Sequence, residues 1–339
     1  MSISPLTAGE MPELVEFFPR MGLDVPPENV RQFAWPRRPA PGFEMVTLGL
    51  RDGGRLVGII GYLDLPLRLR GREATGRWPI NLHLLAEYRG RGIGQRLMEA
   101  TREGARIRLV IGGNRNSTPV LRKTGWTHAG NLVSFRWTSA CPRLADRLRR
   151  RSRGRPPEAV GWEGRDGRVE ARRMETLDGP APWVARAPAG ESGVPRDAAY
   201  LRYAFGGGLA PLHLPYRVAV GGETVGFFVL AARSDLRPRL AVEVIDVDAV
   251  PGREAEILEA ARRTAFRAAD VVRAHLSARR FTEAARALPG RAAEAEGLPL
   301  WLSVEGGLDS ALEEAGGWRI THGDHDRYRA LPVSQVWRD

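Results

Sequence analysis

The chain contains very little cysteine and lysine. Cys141 is the single cysteine among 339 residues, which excludes an internal disulfide framework and any zinc site that needs two thiolates. Lys123 is the only lysine, so arginine supplies nearly all of the 51 basic residues, against 40 acidic ones, for a formal net charge of +11. Because a GC-rich genome favours arginine in the same way, this charge alone does not indicate a nucleic-acid partner.

Long hydrophobic runs are absent as well. No stretch approaches the roughly 18 apolar residues of a membrane helix, and the first residues lack the basic and apolar regions of a secretion signal. We therefore expect a cytoplasmic protein with no membrane partner. Hydrophobic residues still make up 43% of the chain, enough for a sizeable core. Its length suggests two domains, at roughly 150 residues per domain.

Glycine, proline and arginine become frequent in the middle of the chain. Residues 141–195 include an arginine run from Arg147 to Arg155 and then many glycines and prolines with weak periodicity. Such a segment is typical of an interdomain connection with room for a strand or two. The run is most simply a solvated face, with an acidic partner or RNA as the alternative. The prediction is a first domain at 1–140, a second at 196–332 and a tail at 333–339.

The first domain alternates helical and strand patterns. Met11, Leu14, Val15 and Phe18 have helical spacing, and PPENVRQF predicts a second short helix opened by prolines. FEMVTLGL and LVGIIGYLDL flank the turn signal Asp52-Gly53 and predict a hairpin. The segments that follow predict strand, helix, strand, helix and strand in turn: WPINLHLL, IGQRLMEATREGA, RLVIGG, STPVLRKTG and NLVSFRW.

The order of hairpin, strand and helix occurs twice. YRVAVGGETVGFFVLAAR is similar to FEMVTLGLRDGGRLVGIIGY, with Val225-Gly226 matching Val57-Gly58 at an offset of 168. LAVEVIDVDAV then predicts a buried strand, and REAEILEAARRTAFRAA an amphipathic helix. An internal duplication explains this order most economically, and the mixture of elements predicts an α+β fold class.

The most specific motif is a glycine-rich turn between a strand and a helix, Glu87-Tyr88-Arg89-Gly90-Arg91-Gly92-Ile93-Gly94. Glycines let the backbone turn tightly, and the following helix adds free N–H groups and the positive end of its dipole. Together they predict a phosphate-binding site. A Walker loop would need a lysine here, and a dinucleotide fingerprint would need GxGxxG, so neither fits.

This turn resembles the acyl-coenzyme A loop of the GNAT acetyltransferases, Arg/Gln-x-x-Gly-x-Gly/Ala, which Arg89, Gly92 and Gly94 match. Asn114 and Gly125-Trp126 resemble that family's Asn…Gly-Phe segment, and the element order of the whole first domain is similar too. The resemblance implies two GNAT-like domains, each with a mostly antiparallel twisted central sheet flanked by helices. It also implies acetyl-CoA or another acyl-CoA as co-substrate, and no metal.

The resemblance implies a role for each residue around the turn. Its backbone N–H groups would hold the coenzyme pyrophosphate, with added charge from Arg89 and Arg91. Leu84 and Leu85 would pair with the pantetheine arm and polarise the thioester carbonyl, and Asn114 would contact the coenzyme. The expected cofactor-binding residues are Leu84, Leu85, Arg89, Gly90, Arg91, Gly92, Ile93, Gly94 and Asn114.

Acyl transfer to an amine also needs a base for the amine proton and benefits from an acid for the leaving thiolate. Many GNAT enzymes use a tyrosine four residues before the Gly-Phe pair as the acid, but Leu121 stands at that position. His83, on the strand that enters the turn, is the base candidate. We expect Asn81, on the same face, to orient substrate and Tyr62 to face the cleft. Ordinary packing is the alternative for all three.

The second domain lacks the glycine turn. Pro251-Gly252-Arg253-Glu254 follows its strand, and proline removes an N–H group, so we expect no coenzyme there. Asp246 and Asp248 share one strand face and are expected to bind a cationic acceptor, with solvation as the alternative. His322-Gly-Asp-His-Asp326 predicts a polar turn rather than a metal site. Tyr200-Leu-Arg-Tyr203 predicts packing rather than substrate binding.

The resemblance implies an N-acetyltransferase that moves an acyl group from acyl-CoA to an amine of a small molecule or peptide. The amine would attack directly in a ternary complex, since neither motif contains a cysteine for a covalent intermediate. One alternative is a FemABX-like aminoacyl-tRNA-dependent transferase, which also has paired GNAT-like domains. Another is a non-catalytic acyl-CoA-binding module, which Leu121 favours. Nucleic-acid binding has only the charge in its favour, and no pattern predicts an oligomeric state.

Overall fold

The computed structural model describes residues 1–23, 42–113, 115–138, 157–174, 191–205, 213–233, 241–267, 269, 271–290, 292–305 and 317–320. Several expectations lie outside the described residues: the short helix at 26–33, Asn114, the run Arg147–Arg155, the segment His322–Asp326 and the tail 333–339. Among the helices of the described part, none is long and apolar enough to cross a membrane.

The chain divides into two compact units. Unit 1 comprises residues 1–67, 73–130 and 299–314, and unit 2 comprises residues 68–72, 131–298 and 315–339. The boundary therefore lies at 130 rather than at the expected 140, and unit 1 includes a segment from near the C-terminus. The physical reason is strand pairing between residues that are far apart in sequence, which local patterns do not report.

The helices and strands alternate through the first 138 residues. The strands are β1 Ser2–Pro5, β2 Glu44–Asp52, β3 Arg55–Leu69, β4 Arg72–Leu84, β5 Ile107–Ile111 and β6 Thr127–Thr138; the helices are α1 Met11–Arg20, α2 Ile93–Ala100 and α3 Ser117–Lys123.

The later strands are β7 Ala159–Gly164, β8 Gly167–Arg173, β9 Ser192–Gly193, β10 His213–Val220, β11 Glu223–Arg233, β12 Ala241–Ala249, β13 Val271–Leu276, β14 Ala293–Val304 and β15 Trp318–Arg319. The later helices are α4 Ala198–Phe205, α5 Glu254–Phe266 and α6 Arg279–Ala287. The predicted α+β class is confirmed, because the described residues combine these helices with mostly antiparallel strands.

Local sequence patterns place most elements of unit 1 correctly. The hairpin predicted at Asp52-Gly53 is β2–β3, where Gly53 and Gly54 have positive φ values of +57° and +84°. α1 forms where the helical spacing predicts it and buries Leu14 and the two phenylalanines that follow. α2 ends earlier than predicted, at Ala100, because the hydroxyl of Thr101 bonds back to the carbonyl of Met98 (2.7 Å).

The sheet of unit 1 opens between β4 and β5. These two strands are parallel and pair at Arg77 and Arg108, although β4 continues to Leu84. Asn81 interrupts β4 with a φ of +54°, which is unusual for a residue other than glycine. Beyond β5, residues 300–304 of β14 pair antiparallel with Ile107–Ile111. One long edge of β4 therefore faces no strand for its last residues in the described part.

Unit 2 has its own run of paired strands and its own hydrophobic core. From residue 131 onward, β6 pairs with β13, and the order continues through β12, β11, β10, β8 and β7. β7 and β8 lie inside residues 141–195, the segment that the sequence predicts to be an interdomain connection with a strand or two of its own. β12 and β13 are parallel, and their connection is α5, which packs on β11 and β12.

The Val-Gly pairs that the sequence aligns occupy equivalent places in the two units. Leu85 N–H donates to the carbonyl of Val57 (3.0 Å), and Val250 N–H donates to the carbonyl of Val225 (2.8 Å). A Cβ at Gly58 would lie 2.7 Å from Leu84 Cδ1, and one at Gly226 would lie 2.2 Å from the carbonyl oxygen of Asp248. Glycine is therefore required in both places by the close approach of the neighbouring strand.

Candidate functional site

A glycine-rich turn follows Leu84 and leads into α2. It consists of a 3-10 turn, Ala86–Tyr88, and the segment Arg89–Gly94. Gly90 and Gly92 have φ values of +76° and +75°, in the left-handed region that glycine adopts without strain. No heavy atom lies within 4 Å of the place a Cβ would take at Gly90. This side of the turn is therefore open.

The backbone N–H groups at the centre of this turn have no acceptor in the part of the chain that the structure describes. Arg89 N–H donates to the carbonyl of Ala86, and Gln95 N–H donates to the carbonyl of Gly92. Among the hydrogen bonds of the described residues, none uses an N–H group of residues 90–94. Free N–H groups at the start of a helix attract anions, and the helix dipole adds to this attraction. The turn has the chemistry of a phosphate site.

Exposed positive charge surrounds the turn. Arg89 donates from Nε to the carbonyl of Leu84 (3.1 Å), and the guanidinium of Arg91 lies 6.0 Å from the ring centroid of Tyr88. The hydroxyl of Tyr88 donates to Asp52 (2.9 Å), and this hydrogen bond raises the pKa of Tyr88. Both arginines are exposed and lie beside the unused N–H groups.

The acid Glu87 lies at the surface of the turn. Its carboxylate is 3.6 Å from the guanidinium of Arg55, and about half of each side chain is exposed. A pair as exposed as this contributes little to stability. Glu87 is therefore an ordinary surface acid.

The edge of β4 corrects one expected role. Leu85 N–H is occupied by the carbonyl of Val57, so it is not free to polarise a thioester carbonyl. Because successive residues of a strand direct their N–H groups to opposite edges, the amide of Leu84 faces the other edge, where β5 has separated from β4. Leu84 is thus the residue of the pair whose backbone is directed toward the opening.

His83 and Asn81 lie on a part of β4 with irregular backbone geometry. The ring of His83 is half-buried and lies 5.7 Å from the ring of Phe18 in α1. Asn81 has a positive φ, which is not the geometry of a regular strand. The expectation that these two residues share a face was based on regular alternation along the strand, and it stays a prediction.

Tyr62 lies in a different environment from His83. Arg77 stacks on its ring, with 3.9 Å between the guanidinium carbon and the ring centroid. That guanidinium forms a two-point ion pair with Asp64 (2.6 and 2.7 Å) and donates to the carbonyl of Thr101, just beyond α2. The structure thus packs Tyr62 toward the end of α2 and His83 against α1.

Leu121 occupies the place of the expected acid. It lies in α3 with 1% of its surface exposed and belongs to the hydrophobic core of unit 1. α3 approaches the glycine turn, since a Cβ at Gly94 would lie 3.6 Å from Val120. An aliphatic side chain therefore points into the core from the helix beside the turn, and it has no proton to give.

Asp246 and Asp248 are paired within unit 2, which corrects the expectation of an open acceptor site. Asp246 has no exposed surface; it accepts from Nε of Arg196 (3.1 Å) and from the hydroxyl of Tyr200 (2.7 Å). Asp248 pairs with Arg319 (2.5 Å) and Arg280 (3.4 Å). Two buried carboxylates need such partners, and the protein supplies them itself. Tyr200 is buried too, as the packing alternative predicted.

The turn after β12 is filled by protein groups. Gly252 N–H donates to one carboxylate oxygen of Glu254 (2.9 Å). Arg280 donates to the other oxygen of Glu254 (2.7 Å) and to the carbonyl of Ala249 (2.9 Å). A glutamate thus holds the N–H group that a phosphate would need. The sequence predicts no phosphate-binding turn in unit 2, and in the structure a carboxylate of the protein itself occupies this turn.

Sequence reasoning missed the partners of these acids. Arg280 and Arg319 belong to no local motif, and arginine is too frequent in this chain for a single one to be informative.

The described residues contain no group of three or more His, Cys, Asp or Glu side chains that could hold a metal ion.

The comparisons agree with the fold. Residues 2–129 match the family model described as an acetyltransferase (GNAT) domain, and no curated protein matches the chain significantly. A GCN5-related N-acetyltransferase from Anabaena variabilis is similar over 89% of this chain and 72% of its own, with a TM-score of 0.61 and 12% identity.

Two further solved structures are similar over the same share of this chain. A GCN5-related N-acetyltransferase from Kribbella flavida covers 89% of this chain and 70% of its own, with a TM-score of 0.59 and 17% identity. Saccharomyces cerevisiae N-myristoyltransferase with bound myristoyl-CoA covers 89% and 78%, with a TM-score of 0.52 and 12% identity. At these identities the likeness is one of fold. The match to the GNAT acetyltransferase domain model covers residues 2–129.

Proposed function

We propose that unit 1 binds an acyl-coenzyme A, such as acetyl-CoA, and transfers its acyl group to an amine. The observation that carries this proposal is the row of N–H groups at residues 90–94, which have no acceptor among the described residues and can bind a pyrophosphate. Arg89 and Arg91 add charge beside them, and guanidinium groups suit phosphate oxygens. The GNAT domain match over residues 2–129 supports the same conclusion.

The free edge of β4 is the proposed place for the pantetheine arm. An extended chain with amide groups can add to an exposed strand edge through main-chain hydrogen bonds. Leu84 directs its backbone to this edge, whereas Leu85 does not, because its N–H group bonds to Val57. We therefore assign pairing with the arm, and the polarisation of the thioester carbonyl, to the backbone near Leu84.

The proposed chemistry is direct attack of a neutral amine on the thioester carbon. The new N–C bond forms as the C–S bond breaks, and the amine proton passes to a base. His83 is the proposed base, since it lies on β4 shortly before the turn and is half-buried. Leu121 cannot protonate the leaving thiolate, so that proton is assigned to solvent. Asn81 and Tyr62 stay predictions without a part in this step.

We propose that unit 2 is a degenerate copy of the same fold. Equivalent hydrogen bonds at Val57 and Val225 and equivalent glycines at Gly58 and Gly226 support this. Its turn holds Glu254 where the first turn is open, so one coenzyme is expected per chain. A cationic acceptor would have to displace arginines from Asp246 and Asp248, and we assign those carboxylates to the stability of unit 2.

The main rival function is a non-catalytic acyl-CoA-binding module. The buried Leu121 favours it, because the usual acid is missing from α3. Such a module would bind the coenzyme at the same turn. Binding alone therefore does not separate the two functions, and a chemical assay must follow.

The first experiment is titration of the full chain with acetyl-CoA, followed by calorimetry and by thermal unfolding. We expect one ligand per chain and a stabilisation of about 2.7 kcal/mol at a hundred times the dissociation constant. If no acyl-CoA binds or stabilises the protein, the proposal is wrong.

The second experiment measures thiol release from acetyl-CoA with a pool of small amines and peptides. His83→Gln should keep the coenzyme affinity and lower the rate about a hundredfold, the lower end of what general base catalysis contributes. Coenzyme binding without thiol release from any amine would favour the non-catalytic module. An unchanged rate in His83→Gln would remove His83 from the mechanism and leave the acyl-CoA proposal standing.

A further inference from the structure

Side-chain contacts join the glycine turn to the hairpin turn between β2 and β3. The hydroxyl of Tyr88 donates to a carboxylate oxygen of Asp52 (2.9 Å) in a partly buried contact. The carboxylate of Glu87 lies 3.6 Å from the guanidinium of Arg55, but about half of each side chain is exposed, so this pair contributes little. Hydrogen bonds to carboxylates are stronger than those between neutral groups. The contact between Tyr88 and Asp52 is therefore the stronger of the two.

The hairpin turn that contains Asp52 is held firmly by the start of α1. Arg51, the residue before Asp52, donates to the carboxylates of Glu10 (2.6 Å) and Glu13 (2.7 Å). Glu13 also accepts from the backbone N–H of Leu56 (3.0 Å), on the other strand of the hairpin. Both strands are thus fixed to the same acids. A hydrogen bond to Asp52 therefore connects the glycine turn to a fixed point of unit 1.

The glycine turn itself has few contacts that hold its shape. The N–H groups of residues 90–94 have no acceptor in the part of the chain that the structure describes. Gly90 and Gly92 adopt positive φ values, and glycine loses more conformational freedom than any other residue when it is ordered. The order of the turn must come from its flanks, α2 and the 3-10 turn Ala86–Tyr88. Tyr88 ends the 3-10 turn, so its side chain holds the flank that leads into the glycines.

The hydroxyl of Tyr88 matters more than its ring. The guanidinium carbon of Arg91 lies 6.0 Å from the ring centroid, at the outer limit of a cation–π contact. The hydrogen bond to Asp52 raises the pKa of Tyr88, so the hydroxyl keeps its proton and stays a donor at neutral pH. Replacement by phenylalanine would keep the ring and remove the donor.

Unit 2 has no counterpart of either residue. At the offset of 168 that aligns Val57 with Val225, Asp52 corresponds to Val220, which is buried in the core of unit 2. The segment Pro251–Glu254 after β12 contains no tyrosine. Donor and acceptor are therefore present in the unit whose turn is open, and both are missing from the unit whose turn a glutamate fills.

We infer that Tyr88 is a positioning residue for the coenzyme pyrophosphate, because its hydrogen bond to Asp52 holds the glycine turn in its binding conformation before the ligand arrives. This rests on the proposed function of unit 1. Tyr88 acts through the backbone N–H groups of residues 90–94 and does not itself have to touch the phosphates. A turn that is ordered beforehand loses less entropy on binding. Without the contact, the ligand must order the turn and the affinity falls.

The first test is Tyr88→Phe, with affinity for acetyl-CoA measured by calorimetry on the full chain. We expect about fivefold weaker binding, within the range for the loss of one hydrogen bond. Tyr216→Phe is the matched control, since the hydroxyl of Tyr216 in β10 also donates over 2.9 Å, to the carbonyl of Pro157. Urea unfolding shows whether both variants are folded. The control should keep the full affinity, and an equal loss in both variants would contradict a specific role for Tyr88.

The second test changes the acceptor, which lies outside the glycine turn. Asp52→Ala and Asp52→Asn both remove the charge, but only asparagine keeps a side-chain oxygen that can accept from Tyr88. Asp52→Ala should therefore bind acetyl-CoA about fivefold more weakly than Asp52→Asn, again as for one hydrogen bond. Adding Tyr88→Phe to Asp52→Ala should cause no further loss, because both changes remove the same interaction.

Three results would overturn the inference: an unchanged affinity in Tyr88→Phe, equal affinities in Asp52→Ala and Asp52→Asn, or additive losses in the double variant. If Tyr88→Phe does not fold, the comparison of the two Asp52 variants makes the same test. If the unaltered protein binds no acyl-CoA, the proposed function fails and the role of Tyr88 with it. If the unaltered protein binds and Tyr88→Phe binds equally well, only the role of Tyr88 fails.

Discussion

The turn after β4 and the turn after β12 begin with the same hydrogen bond and then differ. In each unit the residue after the strand donates to the valine of a Val-Gly pair, Leu85 to Val57 and Val250 to Val225. In unit 1 the N–H groups further along the turn, at residues 90–94, have no acceptor among the described residues. In unit 2 the carboxylate of Glu254 accepts from Gly252 N–H.

The carbonyl that ends each strand shows the same contrast. The carbonyl of Leu84 accepts from the exposed Arg89 (3.1 Å), and that of Ala249 accepts from Arg280 (2.9 Å), which is largely buried and also pairs with Glu254. One backbone path thus serves two purposes. Where the protein supplies its own anion and cation, the turn is structural, and where it supplies only exposed cations, the turn can take a ligand.

The largest expected effect is a loss of stability at the turn after β12, which Glu254 and Arg280 fill. Glu254→Gln leaves the buried guanidinium of Arg280 with less compensating charge, so we expect a loss of about 3 kcal/mol in unfolding free energy, as for a broken buried ion pair. Urea unfolding measures it. Glu87→Gln, at the exposed pair with Arg55, is the control and should cost less than about 1 kcal/mol.

An unchanged stability in Glu254→Gln would mean that the glutamate does not hold the second turn together. The variant should still bind one acetyl-CoA per chain. A second bound ligand would show that Glu254 alone keeps the coenzyme out of unit 2, and the contrast between the turns would then rest on one residue.

The next effect is on the open turn. Gly92 and Gly252 both have positive φ values, +75° and +87°, so a side chain strains both backbones alike. Gly92→Glu should weaken acetyl-CoA at least a hundredfold, because a carboxylate would enter the space meant for phosphate, whereas Gly252→Glu should leave the affinity unchanged. Calorimetry measures the acetyl-CoA affinity of both variants, and equal losses of affinity would contradict a coenzyme site at the first turn.

The smallest effect concerns the arginines. Arg89→Gln should weaken acetyl-CoA about fivefold to tenfold, the range for one charge-assisted hydrogen bond, with a smaller loss at high salt. Arg253→Gln is the control, since Arg253 in the second turn already pairs with Glu256 (2.9 Å). If the loss in Arg89→Gln does not depend on salt, its role is the hydrogen bond to Leu84 rather than charge.

Local patterns predict the open turn well, because its geometry depends on residues that are adjacent in sequence. Gly90 and Gly92 adopt the left-handed conformations that glycine permits, and α2 starts where the motif ends. The hairpin at Asp52-Gly53 and α1 follow from short-range signals in the same way. In all these cases a few neighbouring residues carry both the signal and the structure.

The parts that the sequence did not predict depend on distant residues. LPLWLSV has the composition of a strand, but nothing in it names β5 as the partner of residues 300–304. The ion pairs of Asp246 and Asp248 join residues from separate elements, and no spacing rule relates Asp248 to Arg280 or Arg319. The positive φ of Asn81 was not predicted either, because periodicity arguments assume regular strands.

The pairing of β5 with β14 has a consequence for how the protein forms during translation. Ile107–Ile111 must wait for residues 300–304, and at ~5–20 residues per second the ribosome needs roughly 10–40 seconds to make the intervening chain. During this time an edge of β5 is unpaired, and unpaired edges favour aggregation. The half that contains the glycine turn therefore completes its strand pairing only when residues 300–304 have left the ribosome.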